Sequence, residues 1–439
     1  MQVITGGLID FEINDIITET NKNVFKDYEF YLHTEEEDIW VQYLKTVEIY
    51  SSYNENLTDF IYVTFDLPLG DYAKDVLKYS DNLEATLQYY KDEELISNRY
   101  KLIITNVVEN IRNSDLNNET KETLNKIGLI NLEAQCVLRE VEALRTTLID
   151  GSYRNTNVED VIANILKLES EKSEIEGEAI DLQIDLYEPD NKKIYEHIIF
   201  PTGTKLLDVP TYLQEGEYGV YNSGIGVFLT KIKEDSTLFV YPLFNYERYD
   251  KEERKINIYY SQTDTLNQIE NTYKEDGDVI KILAGTTTES VDTGENTLIN
   301  QGVGLMENDP RAPLYKETIV TDDEAITDQN NRLSAEKMKD KRDQVDKYTY
   351  IGNESNGFKY RSNMIQRMMS YYQIKWNFSD SSLLYPGMPV KYIYEDNDEG
   401  MIELTGTLLC SYTRWVKNSN VETTILFISV IKPSAYLEI

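Results

Sequence analysis

Residues 383–432 read LLYPGMPVKYIYEDNDEGMIELTGTLLCSYTRWVKNSNVETTILFISVIK. Apolar and β-branched residues run there in blocks of strand length. The punctuation between blocks is Asp, Asn, Gly and Ser, which predicts three or four antiparallel strands joined by tight polar turns. Val390, Tyr392 and Tyr394 alternate with Lys391, Ile393 and Glu395, the period of a strand. The acidic run from Asp396 to Gly400 then reverses the chain. A long strand over 401–417 returns, Asn418 to Asn420 turns it again, and 421–431 closes the set. This is a small barrel or sheet, not a catalytic motif.

Outward from that stretch, 439 residues are too many for one core and suggest about three domains. The formal charge of −35, from 78 acidic against 43 basic residues, opposes electrostatic binding of a nucleic-acid backbone, which needs Lys and Arg to displace counterions. Such a charge keeps a large protein in solution; it would also suit a channel through which DNA slides without adhering. Cys136 and Cys410 are too far apart in sequence to suggest a disulfide framework or a zinc site, which fits a reducing compartment. The N-terminal MQVITGGLIDFEIND has neither a basic n-region nor an apolar h-region, and no window approaches the apolar length of a bilayer span. The expectation is a soluble chain with no signal peptide and no stable membrane insertion. The 34 tyrosines favour a β-rich chain with extensive contact surface.

Residues 1–112 read mostly as strand, with runs over 2–13, 29–32, 39–50, 60–67, 83–89 and 100–108, and suggest an N-terminal β-barrel. Between two of these runs, 71–79 can form one or two helical turns. Residues 113–183 read as helical. Ile127, Ile130, Ala134, Val137, Val141, Leu144 and Leu148 make a heptad seam that predicts a long helix over 114–149, packed on a neighbouring domain or on another subunit. Asn157 can cap a second helix over 158–168, with Val158, Val161, Ile162, Ile165 and Leu166 on one stripe. Strand signals resume over 184–260, where Gly216, Gly219, Gly224 and Gly226 are hairpin glycines, because no lysine-bearing phosphate loop or helix follows them. Residues 261–354 form a polar insertion or arm: 284–309 and 318–346 read as loops, with a short helix from about Ser334 extending over 340–346. Over 355–439 a helix with Met364, Ile365, Met368, Met369 and Tyr372 on one face precedes the closing strands.

Little chemistry survives this reading. His33 and His197 are the only histidines, and each sits beside a strand-like segment with no nucleophile motif near it. In the EF-hand register that places Gly400 sixth, Gly406 falls twelfth, where a bidentate carboxylate is required, so EDNDEG at 395–400 reads as a solvated hairpin turn. A glycosidase pair is defined by separation in space, and nothing in the sequence selects one. No catalytic, cofactor or metal site is predicted.

Three stretches together carry a likeness: DLPLGDYAKDVLKYSDNLEATLQYY at 66–90, VEDVIANILKLES at 158–170 followed by FPTGTKLLDVPTYLQEGEYGVYNSGIGVF at 200–228, and YPGMPVKYIYE at 385–395 with its later strands. In pattern and order they resemble the baseplate or tail hub proteins of contractile-tailed bacteriophages, over most of the chain and least over 261–348. The resemblance implies an α+β, β-rich fold. In it two small antiparallel β-barrels, the second discontinuous, are separated by a helical region and carry a polar insertion. It implies a structural virion protein rather than an enzyme, with no cofactor, assembled in the host cytoplasm into the tail baseplate. Its homotrimer would form a pseudo-sixfold ring between the hexameric tail tube protein and the trimeric central spike protein, letting DNA pass without specific binding. The tape measure protein and the baseplate wedges are further partners on this reading. Tyr392, Tyr394, Tyr412, Trp415, Tyr72 and Tyr89 are then the expected contacts to neighbours. The rival readings are a receptor-binding or glycan-degrading virion protein, with tyrosines around a sugar site and paired carboxylates, and another tail tube or wedge component.

Overall fold

The computed structural model describes residues 6–18, 25–91, 94–108, 128–216, 218–232, 235–260, 272–290, 303–307, 316–320, 347–351, 358, 361–362, 365–366, 369–396 and 400–431. Its N-terminal lobe is built on β1 (Glu29–His33), β2 (Asp38–Trp40), β3 (Tyr43–Ser52), β4 (Phe60–Pro68), β5 (Glu84–Lys91), β6 (Glu94–Val108) and β7 (Leu129–Leu138). Period-two alternation turns Phe30 and Leu32 of β1, Val63 and Phe65 of β4, Ala85 and Leu87 of β5, and Leu132 and Ala134 of β7 into one core. Each large apolar side chain buried in this way contributes about 1.5–3 kcal/mol. The short helical turns expected near 71–79 form over residues 69–82.

Two expectations for the first 150 residues are corrected. The segment read as an N-terminal strand is the helix α1 (Gly6–Thr18), because Ile13, Ile16 and Ile17 recur at helical spacing and pack on Tyr259, Leu283 and Ile393. The long helix expected over 114–149 is absent from its described part: 129–138 is β7, hydrogen-bonded between β4 and β6. Ile130 and Ala134 fit both a heptad seam and a period-two face, and Leu132, Cys136 and Leu138 complete the latter. Only Arg139–Arg145 is helical, burying Val141 and Leu144.

The middle of the chain adds β8 (Leu148–Thr156), the short β9 (Glu174–Ile175) and β10 (Glu178–Ala179), β11 (Leu182–Leu186), β12 (Tyr195–Lys205), β13 (Ile225–Ile232) and β14 (Asp235–Pro242). β12 pairs with β8, and β11 lies parallel to β14 in a three-stranded sheet with β13. The helical segment over 158–170 starts as read from the sequence, with the Asn157 side chain accepting from the backbone N–H of Asp160 at 2.7 Å. The glycines at 216–226 lie after the helix Val209–Glu215 and before β13, an order opposite to that of a phosphate loop. A Cβ on Gly226 would enter the Tyr241 ring, so close packing explains that residue. These elements share their core with the N-terminal lobe, while Phe228 of β13 and Phe239 and Tyr241 of β14 face the second core.

The C-terminal lobe has its own core. Its strands are β15 (Lys255–Tyr260), β16 (Tyr273–Asp276), β17 (Val279–Ala284), β18 (Thr286–Ser290), β22 (Met369–Ser379), β23 (Pro389–Asp396), β24 (Gly400–Val416) and β25 (Val421–Ile431); β19 (Val303–Glu307), β20 (Lys316–Val320) and β21 (Lys347–Ile351) form a separate three-stranded sheet. The loops expected over 284–309 and 318–346 therefore contain strand, while the short helix from Ser334 lies outside the described residues. The Met-faced helix holds in its first part, where residues 358, 361–362 and 365–366 are helical, and is corrected from Met369 onward, where the chain is β22 and Tyr372, Ile374 and Trp376 alternate inward. Met364 and Met368 lie outside the described residues.

The hairpin reading of 383–432 holds, with Asp396 paired to Gly400 across the acidic turn. The expectation of two small antiparallel barrels does not hold as stated. The fold is β-rich α+β, but both lobes belong to one fifteen-stranded mixed sheet whose path runs β16-β17-β15-β23-β24-β3-β4-β7-β6-β5-β1-β2, with β25, β22 and β18 branching from β24. The reason is the length of β24. Its residues 400–407 pair with β23 in one lobe and 410–416 pair with β3 in the other, while β25 follows its opposite edge from Thr405 to Val416. The pairs β15–β17 and β15–β23 are parallel.

Candidate interaction surfaces and the lobe seam

The six residues expected to touch neighbours fall into distinct environments. Tyr392 is 3% exposed and Trp415 1% exposed, so both are core residues, and their assignment as outward contacts is corrected. Strand parity explains Trp415. On β24 the inward residues are Leu404 and Leu408; the irregularity between Leu408 and Cys410 then shifts the register, and Ser411, Thr413 and Trp415 point inward. Tyr412 consequently faces outward and half-buried, opposite Tyr50 of β3. Burial and the nearby Glu48 raise its phenol pKa.

Tyr394 is half-buried, its ring 5.3 Å from Tyr392, which in turn lies 5.0 Å from Tyr372 in a tilted pair. Tyr89 is also half-buried and lies 5.0 Å from Tyr28, whose ring meets Trp415 edge-on at 5.2 Å. Tyr72 stands apart, on the helical turns after β4, partly packed on the N-terminal core.

No local pattern in the sequence points to the buried charged cluster around Lys26. Lys26 lies beside an isolated bridge between Phe25 and Val421, where the entry to the N-terminal lobe meets β25. Its Nζ is 2.7 Å from Asp380 Oδ1 and 3.0 Å from Glu422 Oε2, and all three side chains are at most 3% exposed. Tyr28 donates to Glu422 at 2.6 Å, the backbone N–H and hydroxyl of Ser381 donate to the same carboxylate, and Trp415 Nε1 donates to the Lys26 carbonyl at 2.9 Å. Burial opposes the charge on Asp380, but Lys26 and Lys91 hold its carboxyl down to about 2. Burial likewise opposes the charge on Lys26, and Glu422 with Asp380 raises its pKa overall. Pairing and hydrogen bonding are what make such a cluster tolerable in a core. It joins three segments distant in sequence: residues 25–28, the turn after β22, and the start of β25.

Both histidines are strand residues. His33 contacts Asp38 at 2.7 Å through Nδ1 and Thr86 at 2.7 Å through Nε2, the spacing of a hydroxyl–imidazole–carboxylate relay. The Asp38 side chain is largely exposed, on the edge strand β2. His197 contacts Ser152 across β8 and β12. Among the described residues no group of three or more His, Cys, Asp or Glu side chains could hold a metal ion, and no helix is long and apolar enough to cross a membrane.

A protein family described as the Bacteriophage PBS1 gene 109 protein matches residues 13–380. The chain belongs to that family. No curated protein matches this phage protein in sequence. Among solved structures, the tail protein from Neisseria meningitidis MC58 is similar at a TM-score of 0.50 and 11% identity, over 92% of this chain and 96% of that one. The 43 kDa tail protein of prophage MuSo2 from Shewanella oneidensis gives 0.49 and 10%, over 93% and 98%. The E. coli c3393 protein, a type VI secretion system component with structural similarity to the T4 bacteriophage tail proteins gp27 and gp5, gives 0.41 and 11%, over 91% and 76%. The likeness to phage tail proteins read from the sequence is borne out, and this phage protein has a tail-protein fold.

Proposed function

We propose that this phage tail protein is a baseplate hub subunit with a structural role. Three copies would form a pseudo-sixfold ring in the virion, joining the tail tube above to the central spike below and letting DNA pass. The observation that carries this reading is the shared strand β24, which ties two β-lobes into one subunit, so that a trimer would present six lobes. Two further features support treating each lobe as a curled, barrel-like unit. β18 continues β17 across Gly285 and pairs with β22, and the Phe25–Val421 bridge brings the chain before β1 back to β25. Tyr394, Tyr412, Tyr72 and Tyr89 remain the ring-contact candidates, since all four keep part of their surface outside the core. The tape measure protein and the baseplate wedges are the further partners of this reading. The net charge of −35 suits a lumen through which DNA moves without binding.

Native mass measurement tests the proposal. A species at three times the 51.0 kDa chain mass, with a central pore in electron micrographs of isolated tails, is expected. A monomer both in solution and within tails would remove the hub assignment.

A further inference from the structure

At one end of the N-terminal lobe polar side chains share the wall with apolar ones such as Ile61, Leu87 and Phe228. Ser51, Tyr53, Asn98, Tyr100, Ser411 and Thr413 line a cavity of about 350 Å³ there, roofed by β13 and the turn after β22. The volume is that of roughly a dozen water molecules and falls at the small end of ligand pockets, for which the mouth of a curled sheet is a preferred place. Ser51, Ser411 and Thr413 are each at most 4% exposed, so these hydroxyls are built into the wall rather than borrowed from the surface.

Both lysines around the cavity are already paired, the Asp59 carboxylate is hydrogen-bonded, and Glu94 stands at the wall as a further carboxylate. Lys91 lies 3.4 Å from Asp380 and donates to Ser382, Lys231 is 2.8 Å from Glu140, and Asp59 accepts from Ser51 and Thr230. An anionic ligand would find no unpaired cation among these groups. Aromatic surface is supplied by Tyr53, edge-on to Phe228 at 4.9 Å, and by Tyr100. The Asn98 side-chain oxygen is buried with no hydrogen-bond partner among the described residues, an acceptor that a ligand hydroxyl would satisfy.

We propose that this cavity binds a neutral, hydroxyl-rich molecule of monosaccharide size, an uncharged hexopyranose, with ring C–H groups against tyrosine and hydroxyls on Asn98, Ser51 and Ser411. The proposal does not rest on the hub reading, although Tyr89, a ring-contact candidate, also lines this cavity. Saturation-transfer NMR on the full chain with millimolar D-glucose, D-galactose and N-acetyl-D-glucosamine tests it. Expected is transfer from at least one hexose, weakened tenfold or more by Asn98→Leu and by Ser411→Val, with density for the sugar in the cavity of a soaked or vitrified sample. Melting curves within a few degrees of the parent show that each variant is folded, and Asn98→Leu, at a half-buried rim position, carries the test if Ser411→Val is not. Absence of transfer from all three sugars, equal binding by folded variants, or a high-resolution map with only water in the cavity overturns the proposal.

Discussion

The two ends of the hairpin β24–β25 use one backbone ladder and two opposite kinds of interior. At the end near Ile431 the inward residues are Leu404 and Leu408 on β24 and Leu426, Ile428 and Val430 on β25. At the other end they are Ser411 and Thr413, then Thr424 and Glu422, with hydroxyl pairs Thr413–Thr424 at 2.9 Å and Ser379–Thr424 at 2.7 Å. Dispersion and burial are non-directional, so the apolar end tolerates apolar exchanges that conserve its volume. The polar end works only when every group finds its partner. One strand pair thus couples an adaptable core to a site that is satisfied in a single register.

The sharpest way to break the polar end is Lys26→Met. It strands Asp380 and Glu422 in the core without their cation, and a loss of about 3–5 kcal/mol is expected in denaturant unfolding; a loss near zero would mean that water reaches the cluster. At the apolar end the expected weak point is a close approach of backbones rather than a missing contact. A methyl group on Gly406 would strike the Ser429 carbonyl oxygen, so Gly406→Ala should cost about 3 kcal/mol by the same measurement.

Acid distinguishes the two ends next. Asp380 is held at about 2, below its ordinary 3.8, so its contribution is fully present above about pH 4 and is lost as pH falls toward 2. The amount is about 2 kcal/mol, read as a falling denaturation midpoint between those pH values. Asp380→Asn should flatten that window, whereas Gly406→Ala should leave its slope unchanged. The smallest effect on stability is expected on the outward face. Tyr412→Ser should alter unfolding by no more than about 0.5 kcal/mol yet weaken self-association in native mass spectra, and unchanged association would remove Tyr412 from the ring contacts.

Strands were legible wherever a period-two pattern stood alone, as in Val63 and Phe65 of β4 or Ala85 and Leu87 of β5. Elsewhere two periods coincide. Ile130 and Ala134 satisfy both, and only the pairing of β7 between β4 and β6 decides in favour of strand. Tyr392 and Trp415 lie on the inner face, which alternation alone does not distinguish from the outer one, and the irregularity at Leu409 exchanges the faces midway along β24. The lobe seam was out of reach for a different reason. Lys26 and Glu422 are 396 positions apart, and no local pattern brings them together.

The continuity of β24 also has a mechanical side. Pulling the two lobes apart along this strand cannot peel them open bond by bond, because the covalent chain crosses the boundary and β25 runs beside it from Thr405 to Val416. The load falls in shear on many ladder hydrogen bonds at once.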